Sequence, residues 1–358
     1  MKTLVIDTQA IRHNISVVKE RVRSLAIYGV LTGDAYGVGL LEAARLLREN
    51  GIGRFAVTEP KEATALRKSG FSEEEILMLR STARREELEE LLDANAVCTV
   101  GSHEAGMALD ALAKERSTAV EAHLLIDTGI GYGGFPASES EKILSIYQYL
   151  PHVALSGLYT TLCSVQKQKD KHMMQTQLKR LSSVVSYLQE AGCEPGIVHA
   201  SCAFSSLRYP MPPLDAIQVG SSFFGQADQR GRDNDIGRVA YVQTTISEIS
   251  WLSPGQAIGE EHPIYLKKPT KVAVIPVGYL NGMGVRRQGK DGFLRTLADW
   301  RAARQMTVKV GQHRARILGR PGMTETYLDV THLECATGAT VSFSMEPQYA
   351  RDLPRTYR

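Results

Sequence analysis

Ala26-Ile-Tyr-Gly-Val-Leu31 is a short apolar run, and beyond a glycine-rich interval it is answered by Leu40, Ala43, Ala44 and Leu47 at i, i+3, i+4 and i+7. The run predicts a buried strand. The spaced residues predict one face of a helix, closed by Asn50-Gly51. Working outward, the same couplet recurs. Strands are predicted at 55–57, 76–79, 96–100, 120–127, 153–159, 196–199 and 215–219, with helices at 59–67, 84–93, 103–114 and 170–191. Ser138-x-x-Glu141 predicts a capping box before Ile143, Tyr147 and Leu150. Sustained strand–helix alternation over this length predicts an α/β fold, a TIM-like (β/α)8 barrel. A doubly wound open sheet is the alternative, but no G-x-G-x-x-G follows the first strand.

After about residue 235 the texture changes. Alternating runs at 241–246, 271–275, 306–310 and 340–343 are separated by turns at Pro254-Gly255, Gly311 and Pro321-Gly322. They predict an all-β domain. Residues 226–238 are polar and read as the linker. The expected division is a barrel over 1–230 and a C-terminal β-domain over 231–358.

Composition bounds the function classes. The chain has 358 residues, 43% hydrophobic and 23% charged, enough for one-and-a-half to two domains. With 31 Gly and 14 Pro it is neither collagen-like nor disordered. Lys and Arg number 42 against 39 Asp and Glu, a net +3 with no basic run, which argues against a dedicated nucleic-acid binder. The N-terminus, Met1-Lys-Thr-Leu-Val-Ile-Asp7, has no signal-peptide apolar region, and no apolar run approaches the length of a membrane span. A cytoplasmic protein is expected. Cys98, Cys163, Cys193, Cys202 and Cys335 are odd in number with no C-x-x-C pair, so neither a disulfide framework nor a zinc site is expected. The nine histidines show no H-x-x-x-H spacing, and no metal is expected.

The loop after the first barrel strand reads Thr32-Gly-Asp-Ala-Tyr-Gly-Val-Gly39. It resembles the K-A-D-A-Y-G-H-G signature of the alanine racemase family. Five further segments resemble that family in the same order. They are Asp127-Thr-Gly-Ile-Gly131, Asp215-Ala-Ile-Gln-Val-Gly220 with Phe224-Gly225, Val277-Gly-Tyr-Leu-Asn-Gly282, Gly319-Arg-Pro-Gly-Met323 with Asp329-Val-Thr331, and Leu353-Pro-Arg-Thr-Tyr357. The resemblance covers nearly the whole chain. It implies a barrel plus β-domain, a homodimer, pyridoxal phosphate (PLP) held as a Schiff base by a lysine, and a second base, a tyrosine, from the partner subunit.

Carried over position by position, the resemblance shows what has changed. The Schiff-base lysine falls on Thr32, whose hydroxyl cannot form an aldimine. The second-base tyrosine falls on Glu260, with Tyr265 five residues on. The arginine that faces the pyridine nitrogen falls on Gln218. The lysine before D-T-G falls on Leu125, the arginine after G-M-G on Tyr132, the strand-six histidine on Thr161 and the signature histidine on Val38. The phosphate side is kept. Tyr36 occupies the phosphate-contacting tyrosine, and His199-Ala-Ser201-Cys202 resembles H-x-A-N-S, with Cys202 at the phosphate-binding serine. Gly220-Ser221-Ser222 offers N–H groups and hydroxyls after the last strand. Asp34, Tyr132, Thr161, His199, Tyr279 and Met323 complete the implied pocket.

Three functions follow from these residues. The first is a protein that keeps a phosphate or small-metabolite pocket, able to hold PLP only without an aldimine at position 32. The second is an active PLP-dependent racemase with atypical residues. The third is a non-catalytic dimerising pseudoenzyme. No nucleic-acid or membrane partner is expected.

Overall fold

The computed structural model describes residues 2–22, 25–165, 167–201, 203, 207, 209, 214–226, 235–259, 263–285 and 306–358. It comprises two compact units, Gln9–Arg238 and a second built from Met1–Thr8 with Val239–Arg358. Along the chain, β1 (Lys2–Ile6) and α1 (Thr8–Val22) precede β2 (Ala26–Val30). A short segment α2 (Thr32–Tyr36) and α3 (Leu40–Glu49) lead to β3 (Arg54–Val57), α4 (Pro60–Lys68), β4 (Glu75–Met78) and α5 (Arg85–Asp93). There follow β5 (Cys98–Val100), α6 (His103–Glu115), β6 (Val120–Asp127), β7 (Phe135–Pro136) and α7 (Ser140–Tyr149). The first unit ends with β8 (Val153–Thr161), α8 (Gln168–Glu190), β9 (Ile197–Ser201) and β10 (Ala216–Val219).

Eight of these strands form one parallel sheet in the order β4-β3-β2-β10-β9-β8-β6-β5. A single parallel bridge, Leu77 to Val97, brings its two edges together and makes a nearly closed barrel. The strands read as continuous apolar runs because both faces are covered, by the barrel core inside and by helices outside. Tyr28, Val30, Ala56, Leu77, Val97 and Ala216 cluster in the core. All eight sequence-predicted strands are present within a residue or two. The helix α1 was not foreseen. Its buried Ile11, Ile15, Val18 and Val22 lie on one face. The buried Asn14 on the same helix donates to the carbonyls of Phe223 and Gly237 and accepts from the Gly237 N–H, at 3.2, 2.8 and 2.7 Å.

The second unit is strand-rich. It holds β11 (Ala240–Thr245), β12 (Glu248–Leu252), β13 (Ala257–Ile258), β14 (Ile264–Tyr265) and β15 (Thr270–Ile275), then β16 (Thr307–Val310), β17 (His313–Leu318), β18 (Thr326–Asp329), β19 (Thr340–Ser344) and β20 (Arg355–Tyr357). Nine strands make one sheet, ordered β12-β15-β18-β17-β16-β19-β11-β1-β20, and β13 with β14 forms a separate hairpin.

Two features differ from the sequence expectation. The division at 230/231 placed the first residues in the barrel, whereas β1 belongs to the β-unit. It pairs antiparallel with β11 and parallel with β20, so three distant segments share one sheet edge. Proximity in sequence to α1 concealed this. The capping box expected at Ser138 is also absent. The Glu139 N–H bonds to the Pro136 carbonyl at 2.9 Å, and this turn places Glu139 at the N-cap instead.

Candidate functional site at the barrel mouth

The loop that leaves β2 has an unusual backbone. Gly33, Asp34, Ala35 and Tyr36 have φ of 62°, 58°, 52° and 56°, and Gly37 follows at 84°. Three consecutive non-glycine residues are therefore left-handed, at a cost of about 1–2 kcal/mol each. Such strain persists only where the surroundings fix it. Here the buried Glu62 carboxylate accepts the N–H groups of Thr58 at 3.1 Å, Glu59 at 3.2 Å and Asp34 at 3.3 Å. Asp34 in turn accepts the Leu40 N–H at 2.7 Å, which ties down the start of α3. Asp34, expected as a pocket residue, thereby also helps to hold the loop.

The turn sets two side chains. The Thr32 hydroxyl is hydrogen-bonded to that of Thr58, which follows β3. Tyr36 reaches the turn after β10, where the Ser221 N–H donates to its phenol oxygen. Burial, reinforced by Tyr132 and opposed by that N–H, pushes the Tyr36 pKa up to about 12. The phenol thus stays protonated, with an O–H to give. Gly220 is required at this contact, because a Cβ there would stand 2.7 Å from the Val30 carbonyl oxygen and 2.8 Å from both Tyr36 Cε2 and Oη. Next to it, the Ser222 hydroxyl is buried without a hydrogen-bond partner among the described residues. A buried hydroxyl left unpaired is costly and calls for a partner. Cys202 and Glu260 lie outside the described residues.

Beneath the mouth, Gln218 is 1% exposed. Its Nε2 lies 2.9 Å from His199 Nδ1, and His199 Nε2 lies 2.8 Å from His123 Nδ1. His199 is stacked between Tyr28 and Tyr159, with ring centroids 4.8 and 4.9 Å away. If the Gln218 amide donates, His199 carries its proton on Nε2 and donates to His123, so one hydrogen-bond pattern runs through the core. Burial drives both imidazoles below their ordinary range, His123 to about 4. Both are neutral near pH 7.

The remaining expected residues divide between two sites. Thr161 and Ser201 are register partners on β8 and β9, and Ser201 is in turn the partner of Gln218 on β10. Tyr132 is 73% exposed in the loop after β6, between Gly131 and Gly133, both at positive φ. Asp127 builds that loop. Burial raises its pKa, but the N–H groups of Gly129, Gly131 and Ile130 and the charge of Arg180 outweigh it and hold the carboxyl below its usual range. Tyr279 and Met323 belong to the β-unit, where the Tyr279 N–H bonds to the Gly322 carbonyl and the Leu280 N–H to that of Met323.

Sequence reading missed Thr58, His123 and Gln177. Gln177 is fully buried on α8, donating to the Thr128 hydroxyl at 3.0 Å and the Thr161 carbonyl at 2.9 Å, and accepting the Cys163 N–H at 2.9 Å. Its signal was a lone amide on a helix face that otherwise carries Met174, Leu178, Leu181 and Leu188. That of His123 was a lone imidazole inside an apolar strand.

Comparison with known proteins agrees with this architecture. The family model for the alanine racemase N-terminal domain matches residues 6–228, and that for the C-terminal domain matches residues 239–353. The chain belongs to the alanine racemase family. It is 31% identical to the alanine racemase of Sorangium cellulosum over 91% of this chain and 83% of that one. It is 28% identical to that of Clostridium tetani over 92% and 82%. Among solved structures, the alanine racemase of Streptomyces coelicolor superimposes with a TM-score of 0.85 at 19% identity, covering 99% of this chain and 97% of that one. That of Bartonella henselae, which has covalently bound pyridoxal phosphate, gives 0.80 at 17% identity, covering 100% and 99%.

The residues here fit one end of such a group and not the other. The unpaired Ser222 hydroxyl and the protonated Tyr36, packed against Gly220, carry O–H donors that suit a phosphate. At the end of β2 the side chain is the Thr32 hydroxyl, paired with Thr58, which offers no amine to an aldehyde. The site does not fit a cofactor held covalently at position 32.

Proposed function

We propose that this member of the alanine racemase family binds a phosphate-bearing small molecule at the barrel mouth and does not racemise alanine through an aldimine at position 32. The observation that carries the reading is the pairing of Thr32 with Thr58 beside a phosphate cup that still has a buried, unpartnered Ser222 hydroxyl. The names of the relatives favour the second reading, an active racemase. Against it stands the loss of the reacting amine, because catalytic groups that act as a unit lose their effect together. We also take the protein to be a cytoplasmic homodimer. Tyr279, Leu280 and Met323, 42%, 43% and 55% exposed on the β-unit, support a contact surface of that kind.

Inorganic phosphate is the simplest probe. A ligand that binds only the folded state stabilises it by about 2.7 kcal/mol at a hundred times its Kd. Phosphate is expected to raise Tm by several degrees relative to chloride at equal ionic strength, and Tyr36→Phe and Ser222→Ala are each expected to shrink the rise. A Tm indifferent to phosphate contradicts the reading.

A further inference from the structure

Side chains alternate along a strand, so positions two apart share a face. On β16 and β17 one face is core, with Val308, Val310, Ala315 and Ile317 buried. The other face is exposed and carries Thr307, Lys309, Arg314 and Arg316. Register brings the cations together, with Lys309 opposite Arg314 and Thr307 opposite Arg316. The row through Lys309 continues across the sheet to Ser342 on β19 and Gln243 on β11.

Like charges directly opposite on an antiparallel pair destabilise it, because their Cβ atoms are only about 4.5–5.5 Å apart. No described residue forms an ion pair with Lys309, Arg314 or Arg316 to offset this. On the barrel unit, by contrast, surface arginines are matched: Arg12 with Glu49, Arg85 with Glu89 and Glu115, Arg116 with Asp93. Asp329, the register partner of Arg316 on β18, uses its Oδ1 to accept the Thr331 N–H and hydroxyl at 3.1 and 2.6 Å. The imbalance extends to the whole unit. Met1–Thr8 with Val239–Arg358 carries 17 Lys and Arg against 11 Asp and Glu, whereas Gln9–Arg238 carries 25 against 28.

The neighbours of these cations define the anion they suit. No exposed aromatic stands on β11, β16, β17 or β19 to stack a nucleic-acid base, and no exposed large aliphatic stands there to enter a bilayer. What surrounds the charges is hydroxyl and amide. Arg314 and Arg316 are two residues apart on one strand, so their stems are spaced by about 6.6–6.8 Å. An extended peptide has the same repeat, and carboxylates at its alternate positions meet both guanidinium groups, each of which can grip a carboxylate bidentately.

We infer that the exposed sheet face of the β-unit is a docking surface for an acidic, extended peptide segment of a partner protein. Alternate carboxylates of the peptide lie on Arg314 and Arg316, and Lys309 flanks them from β16. The cross-strand repulsion between Lys309 and Arg314 is relieved when the peptide is bound. This surface is independent of the barrel mouth.

Fluorescence anisotropy with the full chain at low salt tests it. The probes are a labelled octapeptide alternating Glu and Thr, an octapeptide of the same composition with its Glu in one block, an oligothymidylate of equal charge, and phosphatidylglycerol vesicles. The alternating peptide is expected to bind severalfold more tightly than each of the others. Arg314→Glu and Arg316→Glu are each expected to weaken it about tenfold, the scale of one lost exposed ion pair plus the new repulsion. Lys267→Glu, the same charge change elsewhere on the unit, is expected to leave it unchanged. Arg314→Glu faces Lys309 with an opposite charge, so it is expected to melt no lower than the parent, and lost binding is then read in a folded protein. Equal binding of the blocked peptide, the oligothymidylate or the vesicles overturns the inference. So does absence of peptide binding, or a Lys267→Glu loss as large as that of Arg314→Glu.

Discussion

Between pH 6.5 and about pH 4 the protein is expected to lose about 3 kcal/mol of folding stability through the buried His123 alone. His123 has an ordinary value of 6.5, and in the fold it is driven down to about 4, first by burial and then by Arg54, against an opposing pull from Glu75. His199 is driven down as well, by burial, by His123 and by Arg54. The folded value lies below the unfolded one. The unfolded chain therefore binds protons in this window that the folded chain refuses, and stability falls as pH falls. Each pKa unit corresponds to about 1.4 kcal/mol, which gives the magnitude for His123. Above pH 6.5 the contribution is fully present. Urea unfolding at a series of pH values measures the slope. His123→Gln, which keeps an acceptor for His199, is expected to flatten it. An unchanged slope in that variant would show that the pair is not the source.

Gly220→Ala is expected to abolish phosphate binding and to destabilise the fold by about 1–3 kcal/mol, the usual range for overpacking. The added Cβ would stand 2.7 Å from the Val30 carbonyl oxygen and 2.8 Å from the Tyr36 ring and hydroxyl. Neither neighbour can yield easily. Val30 is fixed in the parallel sheet between β3 and β10. Tyr36 sits on the left-handed turn that Glu62 and Asp34 hold. Relief must come from displacing Tyr36, and that opens the cup. Thermal melts with and without phosphate read both effects at once. A Gly220→Ala protein that melts like the parent and still responds to phosphate would remove Tyr36 from the site.

The barrel was legible because a doubly covered parallel strand must be apolar on both faces, and eight such runs stand in the chain. The β-unit was legible from its alternation, except for β1. A five-residue strand next to a helix gives no sign that its partners are β11 and β20, more than two hundred residues away. At the site, the missing amine was readable at Thr32, since one side chain decides it. The pairing of Thr32 with Thr58 was not, because it depends on β2 and β3 being neighbours in the sheet. Asp34, expected in the pocket, also accepts the Leu40 N–H, a bond that only coordinates show. His123 and Gln177 were passed over as single polar residues in apolar surroundings. Such residues are buried only when their bonds are satisfied, which makes them the most informative exceptions in a core.

The proposed function excludes racemisation through Thr32, which follows β2. It is tested most directly by the rate of D-alanine formation from L-alanine, with the purified protein supplied with pyridoxal phosphate and compared with pyridoxal phosphate alone. The expected rate is that of the free compound. Turnover on the order of 1 s⁻¹ or faster, the ordinary range for an enzyme, would contradict the account and require an amine that Thr32 does not provide.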